Sequence, residues 1–461
     1  MATCTLKFIA DATAAEVKSG ALTTLVTHVG TDSRAARPGD LFLALKGGKF
    51  DGHDFIAEVA AKGVTAVMVE RGRVPSPLPP CAVLVVPDVR QAYGRIAAAY
   101  RREFSLPVVA VAGSNGKTTT KELLASVLRQ KFSTLWSEAS FNNDIGVPAT
   151  LLRLDASHQA AVVETGTNHP GELAPLVRMV APRFGVLTNI GREHLEFFGD
   201  LAGVAREEAA LAAGLPADGV LFVNGDCEWS ADIAACTPAR VVRVGTGGKN
   251  DWRAKGFRLD KNGVKFSVTT TRAELCGDYR VNLLGRHQVT NALLAAAVAA
   301  ELGLSRAEIQ RGLAECQPPK MRLQFWEANG VRVLDDCYNA NADSTLAALA
   351  TLCDLPLQGR RVAVLGDMAE LGAQGAAAHA EIGRRVAELG INQLIAIGTL
   401  SAVMAQAARD AGLSRVFEFA DAPAALRAVR NFLKPGDVVL LKASRSVHLE
   451  QIAEELKQEK R

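Results

Sequence analysis

The chain has 461 residues, 48% of them hydrophobic and 22% charged, and a net charge of +3. That length suggests two to four domains, and so small a net charge implies no strong polyelectrolyte partner, since a nucleic acid or an anionic membrane surface usually selects a more lopsided basic face. The eight cysteines include no C-x-x-C pair and read as small buried thiols in a reducing compartment; with no secretion signal at the N-terminus and no apolar run near the ~18 residues of a membrane span, the expectation is a cytoplasmic protein with no membrane partner.

Three blocks of alternating elements predict an α/β fold. The first, residues 1–87, places the strand-like "GDLFLALKG" and "GVTAVMVER" around the helical "HDFIAEVAAKG", and its Pro-rich "RVPSPLPPCAVLVVPD" ends in a further strand. The second, residues 88–317, opens with the helix-like "VRQAYGRIAAAYRREF". A strand Val108–Ala112, a glycine turn and a helix from about Lys117 follow. The strands "AAVVETG", "FGVLTNIG" and "GVLFVNGD" come next, and the Ala-rich helix "NALLAAAVAAELG" closes the block. This order predicts a mostly parallel, doubly wound sheet. "CQPPKMR" then gives a linker whose Pro318 and Pro319 are a candidate hinge. The third block, residues 318–461, alternates strand and helix from "VRVLDDCY" to "DVVLLKAS", which predicts a second open sheet of the Rossmann-like kind.

The turn Gly113-Ser114-Asn115-Gly116-Lys117-Thr118-Thr119 joins an apolar strand to a helix. Such a turn offers backbone N–H groups and the positive end of a helix dipole to a phosphate. Lys117 adds a cation for the β/γ-phosphates, and Thr118 a hydroxyl for Mg²⁺. The full phosphate-loop pattern separates its two glycines by four residues. Here Val111 holds the first of those positions, and Gly113 shortens the loop.

Further candidates lie at strand ends, where open α/β sheets bind ligands. Glu164 closes "AAVVETG" and can bind Mg²⁺ or serve as a cap; His194 follows the strand of "GVLTNIGREHLEFFGD" and is either a ligand or a structural histidine. Arg322 and Lys320 follow the linker, and the planar fork of Arg322 suits a phosphate. Asp335 and Asp336 end a strand before the polar turn of Tyr338, Asn339 and Asn341, and an acid there can accept from a ribose hydroxyl. Lys442 and Arg445 follow the last strand and suggest an anionic substrate group, such as a carboxylate.

Taken together, "GSNGKTTTKE", "ETG", "NIGREHLEFFG", "GRHQVTNALLAAA" and "DDCYNANADS" resemble, in family order, the Mur ligases, the ATP-dependent enzymes that build the peptidoglycan stem peptide. The resemblance covers essentially the whole chain. "TDSRAARPGDLFLALKGGKFDGHDFI", "SFNNDIGVP" and "YNANADS" point to the branch that adds D-alanyl-D-alanine to UDP-N-acetylmuramoyl-tripeptide. It implies a small N-terminal α/β domain for the UDP-sugar substrate, a central P-loop ATPase-like domain and a C-terminal Rossmann-like domain. It implies ATP and Mg²⁺ as cofactors, the tripeptide nucleotide and D-alanyl-D-alanine as small-molecule partners, no nucleic acid, and a monomer. Lys117 and Thr118 are then phosphate and metal contacts, Glu164 a ligand of the first metal and His194 of the second. Asn291 resembles an adenine contact, Arg322 a phosphate contact and Asp336 a ribose contact. Ser33, Arg34, Lys46, Asp51 and His53 resemble the uridine-nucleotide region, while Asn142 and Asn143 match a substrate-facing segment.

The sequence departs from the family pattern in two places. Mur ligases commonly carry a lysine after the "HLE" segment, and its carbamylated amine helps to hold the second Mg²⁺. Aligning on the downstream "GLP" puts Glu208 at that position, after Arg206 and Glu207, and no lysine occurs between Lys131 and Lys249. A carbamate and a carboxylate are both planar, singly charged oxygen donors, so Glu208 is expected to replace the modified lysine; the alternative is an ordinary glutamate on a helix surface. The second departure is Ala443, in "KASRS", where a glycine is expected. Other readings are a different ATP-dependent amide ligase (a Mur ligase adding a single amino acid, or folylpolyglutamate synthase) or a P-loop switch ATPase. The third block's strand-end cluster has no role in the last.

Overall fold

Wholly apolar runs set the architecture, because a strand buried on both faces belongs in a parallel sheet covered by helices. The computed structural model describes residues 1–356 and 358–458. They fall into two compact units, one of residues 1–110, 132–167 and 173–183, the other of residues 111–131, 168–172 and 184 onward.

In the first unit five strands form one sheet in the order Glu16–Ser19, Ala82–Val86, Ala66–Glu70, Asp40–Leu43, His28–Gly30. The first pair is antiparallel and the rest are parallel. Phe42, Val59, Val67 and Val83 pack in its core. Helix Val89–Arg102, started by the Asp88 side chain accepting from Gln91 N–H, crosses close to helix Leu173–Val180. A Cβ on Gly94 would stand 2.7 Å from Met179 Cε, the mobile end of a side chain on that helix. Strand Ala160–Glu164 pairs parallel with Thr134–Trp136 in the same unit.

In the second unit strands Phe184–Leu187, Val220–Asn224, Arg240–Gly245 and Trp252–Asp260 run parallel in that order. Two antiparallel strands, Gly263–Thr270 and Gly277–Val281, extend the sheet. Helix Lys117–Leu128 packs on helix Gln288–Glu301, which is buried on nearly every face, as an Ala- and Leu-rich helix without a polar side must be. Helix Arg306–Glu315 starts with a reciprocal Ser305/Glu308 capping box. The C-terminal part of the unit is a six-stranded sheet in the order Gln324–Ala328, Val331–Asp335, Val438–Lys442, Arg361–Gly366, Gln393–Ile397, Val416–Phe419. Its first pair is antiparallel and the others are parallel.

The expected strands and helices are present, including strand Val108–Ala112 and a helix beginning at Lys117. The antiparallel strands from Gly263 to Val281 and the edge strand Gln324–Ala328 are additions to the sequence reading. Ala443 is fully buried, and a Cβ on Gly366 would stand 2.6 Å from its Cβ. The methyl group at 443 is therefore accommodated by a glycine on the neighbouring strand. Among the described residues no helix is long and apolar enough to cross a membrane.

Candidate active site

The loop after strand Val108–Ala112 needs glycine at two positions. Gly113 and Gly116 have φ of +112° and +86°. A Cβ on Gly113 would stand 2.4 Å from Thr188 Oγ1, and one on Gly116 2.7 Å from Asn291 Oδ1. Backbone handedness and the lack of space both exclude a side chain. Gly116 is the N-cap of helix Lys117–Leu128, so the loop sits at the positive end of that helix. Gly113 N–H donates to Glu208 Oε2 at 2.7 Å, Ser114 N–H to Asn189 O at 2.8 Å and Asn115 N–H to Asn189 Oδ1 at 2.7 Å. Gly191 N–H donates to Ser114 Oγ at 2.8 Å. Lys117 Nζ donates to Gly113 O at 2.5 Å and Ser114 O at 3.0 Å, and lies 3.4 Å from Glu193 Oε1. Thr118 and Thr119 are buried in the first helical turn. Asn291 is buried directly against Gly116, and its Nδ2 donates to Gln288 Oε1 at 2.9 Å.

Glu208 lies on helix Leu201–Ala213 and is only 1% exposed. Burial pushes its carboxyl up to about 8, against the pull of Lys117 and the Gly113 N–H, with Glu193 adding to the rise. Burial raises Glu193 as well. Glu208 Oε1 has no hydrogen-bond partner among the described residues. A buried carboxylate oxygen without a donor is costly until a proton or a cation meets it, so this oxygen suits Mg²⁺, a hard ion that takes oxygen ligands. The helix-surface alternative for Glu208 is overturned by its burial under the loop.

His194 follows strand Phe184–Leu187 and caps the short helix Leu195–Phe198, with φ at +50°. Its Nδ1 lies 2.5 Å from Glu370 Oε2, and its Nε2 4.0 Å from Glu193 Oε2. Beside it, the Arg192 backbone N–H and Nε reach Asp343 at 2.7 and 2.8 Å, while its Nη1 reaches Glu381 Oε2 at 2.6 Å. Burial would lower the Arg192 guanidinium, but Glu381 and Asp343 outweigh it and raise it. Asn341, the N-cap of helix Ala342–Asp354, donates from Nδ2 to Asn115 Oδ1 of the phosphate loop at 2.9 Å. The segments that follow strands Val331–Asp335 and Arg361–Gly366 thus touch Asn115, Arg192 and His194 of the same unit.

Arg322 lies 4.2 Å over the Tyr338 ring, a cation–π contact that fixes its guanidinium. Asp336 accepts from Leu323 N–H at 3.1 Å and from Lys442 Nζ at 2.5 Å, and Lys442 also donates to Asn339 O at 2.9 Å. The expected ribose acceptor and the expected substrate cation are partners of each other. Lys442, 3% exposed, is therefore not a displayed cation in this arrangement, which corrects the sequence reading. Arg445 is exposed, with Nη2 3.2 Å from Glu450 Oε1.

In the first unit, Glu164 ends its strand buried, accepts from Asn142 Nδ2 at 2.9 Å and donates its N–H to Ser137 Oγ at 3.0 Å. Asn143 Oδ1 accepts from the N–H groups of Ile145 and Gly146, which starts helix Gly146–Leu151. Ser33 and Arg34 form a short 3-10 turn capped by Asp32. The Arg34 side chain and then its N–H hold Asp32 down to about 2. Lys46 and Asp51 face each other in an isolated antiparallel backbone bridge, and Asp51 accepts from His53 N–H at 3.0 Å. That N–H and then the His53 ring lower Asp51. His53 has both ring nitrogens engaged, Nδ1 with Asp51 at 2.7 Å and Nε2 with Glu70 N–H at 3.1 Å. His53 and Asn143 therefore shape their loops; a direct ligand contact through the His53 ring is not available in this arrangement. A cavity of about 330 Å³ lies next to these residues, lined by His28, Asp32, Asp40, Tyr93, Phe141 and Arg153 among others.

Three family models cover the chain: the Mur ligase family catalytic domain over residues 25–101, the Mur ligase middle domain over 111–299, and the Mur ligase glutamate ligase domain over 321–445. The chain belongs to the Mur ligase family. It is 36% identical to the UDP-N-acetylmuramoyl-tripeptide–D-alanyl-D-alanine ligase of Escherichia coli K12, over 99% of each chain. It is similar to a MurF crystal structure from Acinetobacter baumannii, with a TM-score of 0.91 and 35% identity over 99% of each chain. The MurF ligase of Thermotoga maritima in complex with ADP gives a TM-score of 0.82 at 26% identity, covering 93% of this chain and 97% of that one. Glu193, Arg192 and Glu370 of this Mur ligase escaped the sequence reading. Glu193 and Arg192 stand immediately before His194, inside the segment "NIGREHLEFFG" that carried the resemblance. Glu370 follows strand Arg361–Gly366, in "GDMAELG", and only its position after a strand could have marked it.

Proposed function

We propose that this Mur ligase uses ATP to join D-alanyl-D-alanine to UDP-N-acetylmuramoyl-tripeptide, giving the UDP-N-acetylmuramoyl-pentapeptide precursor of peptidoglycan. The likeness over 99% of the chain to an enzyme of that name carries the reading. The γ-phosphoryl group of ATP passes to the terminal carboxylate of the tripeptide, leaving ADP and an acyl phosphate. The dipeptide amine attacks the carbonyl carbon, and the tetrahedral intermediate expels inorganic phosphate as the amine loses its proton. A carboxylate is a poor electrophile, and phosphorylation supplies the leaving group. The transferring phosphoryl spreads negative charge over its oxygens, so positioning and cationic groups do most of the work.

Lys117 and the loop amides of residues 113–119 hold the β/γ-phosphates. Thr118 is assigned to a first Mg²⁺, and His194 and Glu208 to a second; Glu164 keeps the metal-ligand role that the family resemblance implies. Mg²⁺ neutralises phosphate charge when bound; the unpartnered oxygen of Glu208 supports its place here. Asn291, against Gly116, is assigned to the adenine side, with Arg322, steadied by Tyr338, on a phosphate and Asp336 on the ribose. The first unit takes the UDP-sugar through the turn of Ser33 and Arg34, the Lys46–Asp51 loop and Asn142. Arg445, exposed but 3.2 Å from Glu450 Oε1, is assigned to a substrate carboxylate. The protein acts as a monomer in the cytoplasm.

Phosphate release from ATP by the purified chain, with tripeptide nucleotide and with or without D-alanyl-D-alanine, tests this. Release is expected only with both, and Lys117→Ala is expected to cut it on the order of 10²- to 10³-fold, the usual cost of one preorganised charge-stabilising group. Release driven equally by a single amino acid, or an undiminished rate in the variant, overturns the proposal.

A further inference from the structure

His194 and Glu370 share an uncommon backbone state. Both are non-glycine residues at positive φ, +50° and +60°. They meet across two loops, one after a strand of the central region and one after strand Arg361–Gly366 of the C-terminal sheet. The loops are stitched together just beyond the pair. Glu196 N–H donates to Glu370 O at 3.0 Å, and Gln374 Nε2 donates to Gly199 O at 3.2 Å. Gly372 lets the loops approach, because a Cβ there would stand 3.0 Å from Glu196 Cα. Strained residues persist where their surroundings over-determine them, and they concentrate at functional sites.

The side-chain contact is directional. The Glu370 carboxylate sits 2.5 Å from His194 Nδ1. In a neutral imidazole, a carboxylate that accepts from Nδ1–H leaves the lone pair on Nε2, the nitrogen on the Glu193 side. This is the tautomer and ring orientation that a metal-ligating imidazole needs. We propose that Glu370 is a positioning residue for His194: the C-terminal region fixes the tautomer and orientation of a metal-binding histidine that belongs to the central region. The proposal rests on the assignment of His194 to the second metal. Docking of the C-terminal region then completes the metal centre, beyond merely covering it.

The test uses the full chain, Mn²⁺ as the probe metal and a non-hydrolysable ATP analogue at saturation, with bound Mn²⁺ read by electron paramagnetic resonance. Glu370→Ala is expected to weaken the second Mn²⁺ about 10- to 100-fold, the usual cost of removing an outer-shell partner. Glu370→Gln, whose amide oxygen still accepts from Nδ1–H, is expected to recover most of that loss. Histidine ¹⁵N spectra of the metal-free protein give a second readout. The wild-type His194 signal is expected at the Nδ1–H tautomer, and the Glu370→Ala signal at a mixture. Glu381→Gln, which loosens the neighbouring Arg192 contact without touching His194, is expected to leave Mn²⁺ affinity within about twofold. Should Glu381→Gln weaken Mn²⁺ as much as Glu370→Ala, loosened docking explains the effect and the proposal falls. If His194→Ala loses Mn²⁺ while Glu370→Ala does not, the positioning role falls and the ligand assignment stands. Unchanged Mn²⁺ binding in His194→Ala removes the ligand assignment and this inference with it.

Discussion

Glu208 shows how much a single oxygen can decide. Its Oε2 is satisfied by Gly113 N–H, while Oε1 is buried with no partner among the described residues. Glutamine keeps an acceptor for the amide but brings no negative charge to a cation. Glu208→Gln is therefore expected to fold, to need more Mg²⁺ for half-maximal rate, and to lose about 10- to 100-fold in turnover at limiting Mg²⁺. Phosphate release across a Mg²⁺ titration checks this, and kinetics identical to wild type would reject it. Because the carboxylate needs no CO₂, added bicarbonate is expected to leave the wild-type rate unchanged. At this scale the sequence was legible where chemistry is local. The turn from Gly113 to Lys117 is contiguous, so spacing alone exposes it. Pairings such as His194 with Glu370, 176 residues apart, carry no such local signal. His53 and Asn143 read as ligand contacts because they stand in motif segments; the structure uses them to hold loops, through bonds to Asp51 and Glu70 and to the start of a helix.

Helices and strands were read most surely where burial is complete. Val108–Ala112, Ala82–Val86 and Val438–Lys442 are buried along their whole length, and each announces itself as an apolar run. The meander after Trp252 was missed because its strands are half-exposed. In Gly263–Thr270, Val264, Phe266 and Val268 point inward while Lys265 and Ser267 face water. Only the alternation, with the Asn262–Gly263 turn before it, carries that signal. Close helix contacts give a prediction at this scale. Gly312, on helix Arg306–Glu315, lies so near helix Lys117–Leu128 that its Cβ would stand 2.4 Å from Val127 Cα. The obstacle is backbone, and Ser126 Oγ is bonded to Gly312 O at 2.7 Å, so the helices cannot easily part. Gly312→Ala is expected to destabilise by about 1–3 kcal/mol, the usual cost of overpacking, despite the better helix propensity of alanine. Urea denaturation followed by circular dichroism measures it; a neutral or stabilising result would show that the helices separate freely.

Across the whole molecule, the eight thiols are free and differ sharply in setting. Cys236 is exposed, whereas Cys316 and Cys337 are buried. Burial pushes the Cys316 thiol up to about 12 and raises Cys337 well above its ordinary value. The thiolate is the reactive form, so alkylation at pH 8 is expected to mark Cys236 at least roughly a hundredfold faster than the two buried thiols. Those two are expected to react only as their cores open, and a saturating ATP analogue to slow them further. Mass spectrometry of the alkylated peptides reads all three sites in one experiment, and rapid native labelling of Cys337 would contradict the packing described. The sequence reading takes all eight as small buried thiols, yet only Cys316 and Cys337 are buried, five are intermediate and Cys236 is exposed, because burial of each depends on distant strands that no local pattern names.

The exposed turn between Trp252–Asp260 and Gly263–Thr270 has a practical consequence. Lys261 and Asn262 face water, while Gly263, at φ +130°, has Val281 O only 2.0 Å from where a Cβ would lie. The tip therefore has an open side and a closed side. A fluorophore or an affinity handle belongs at 261 or 262, where the flanking ladders keep their register. One residue later it would push strand Gly263–Thr270 off its other neighbour, strand Gly277–Val281.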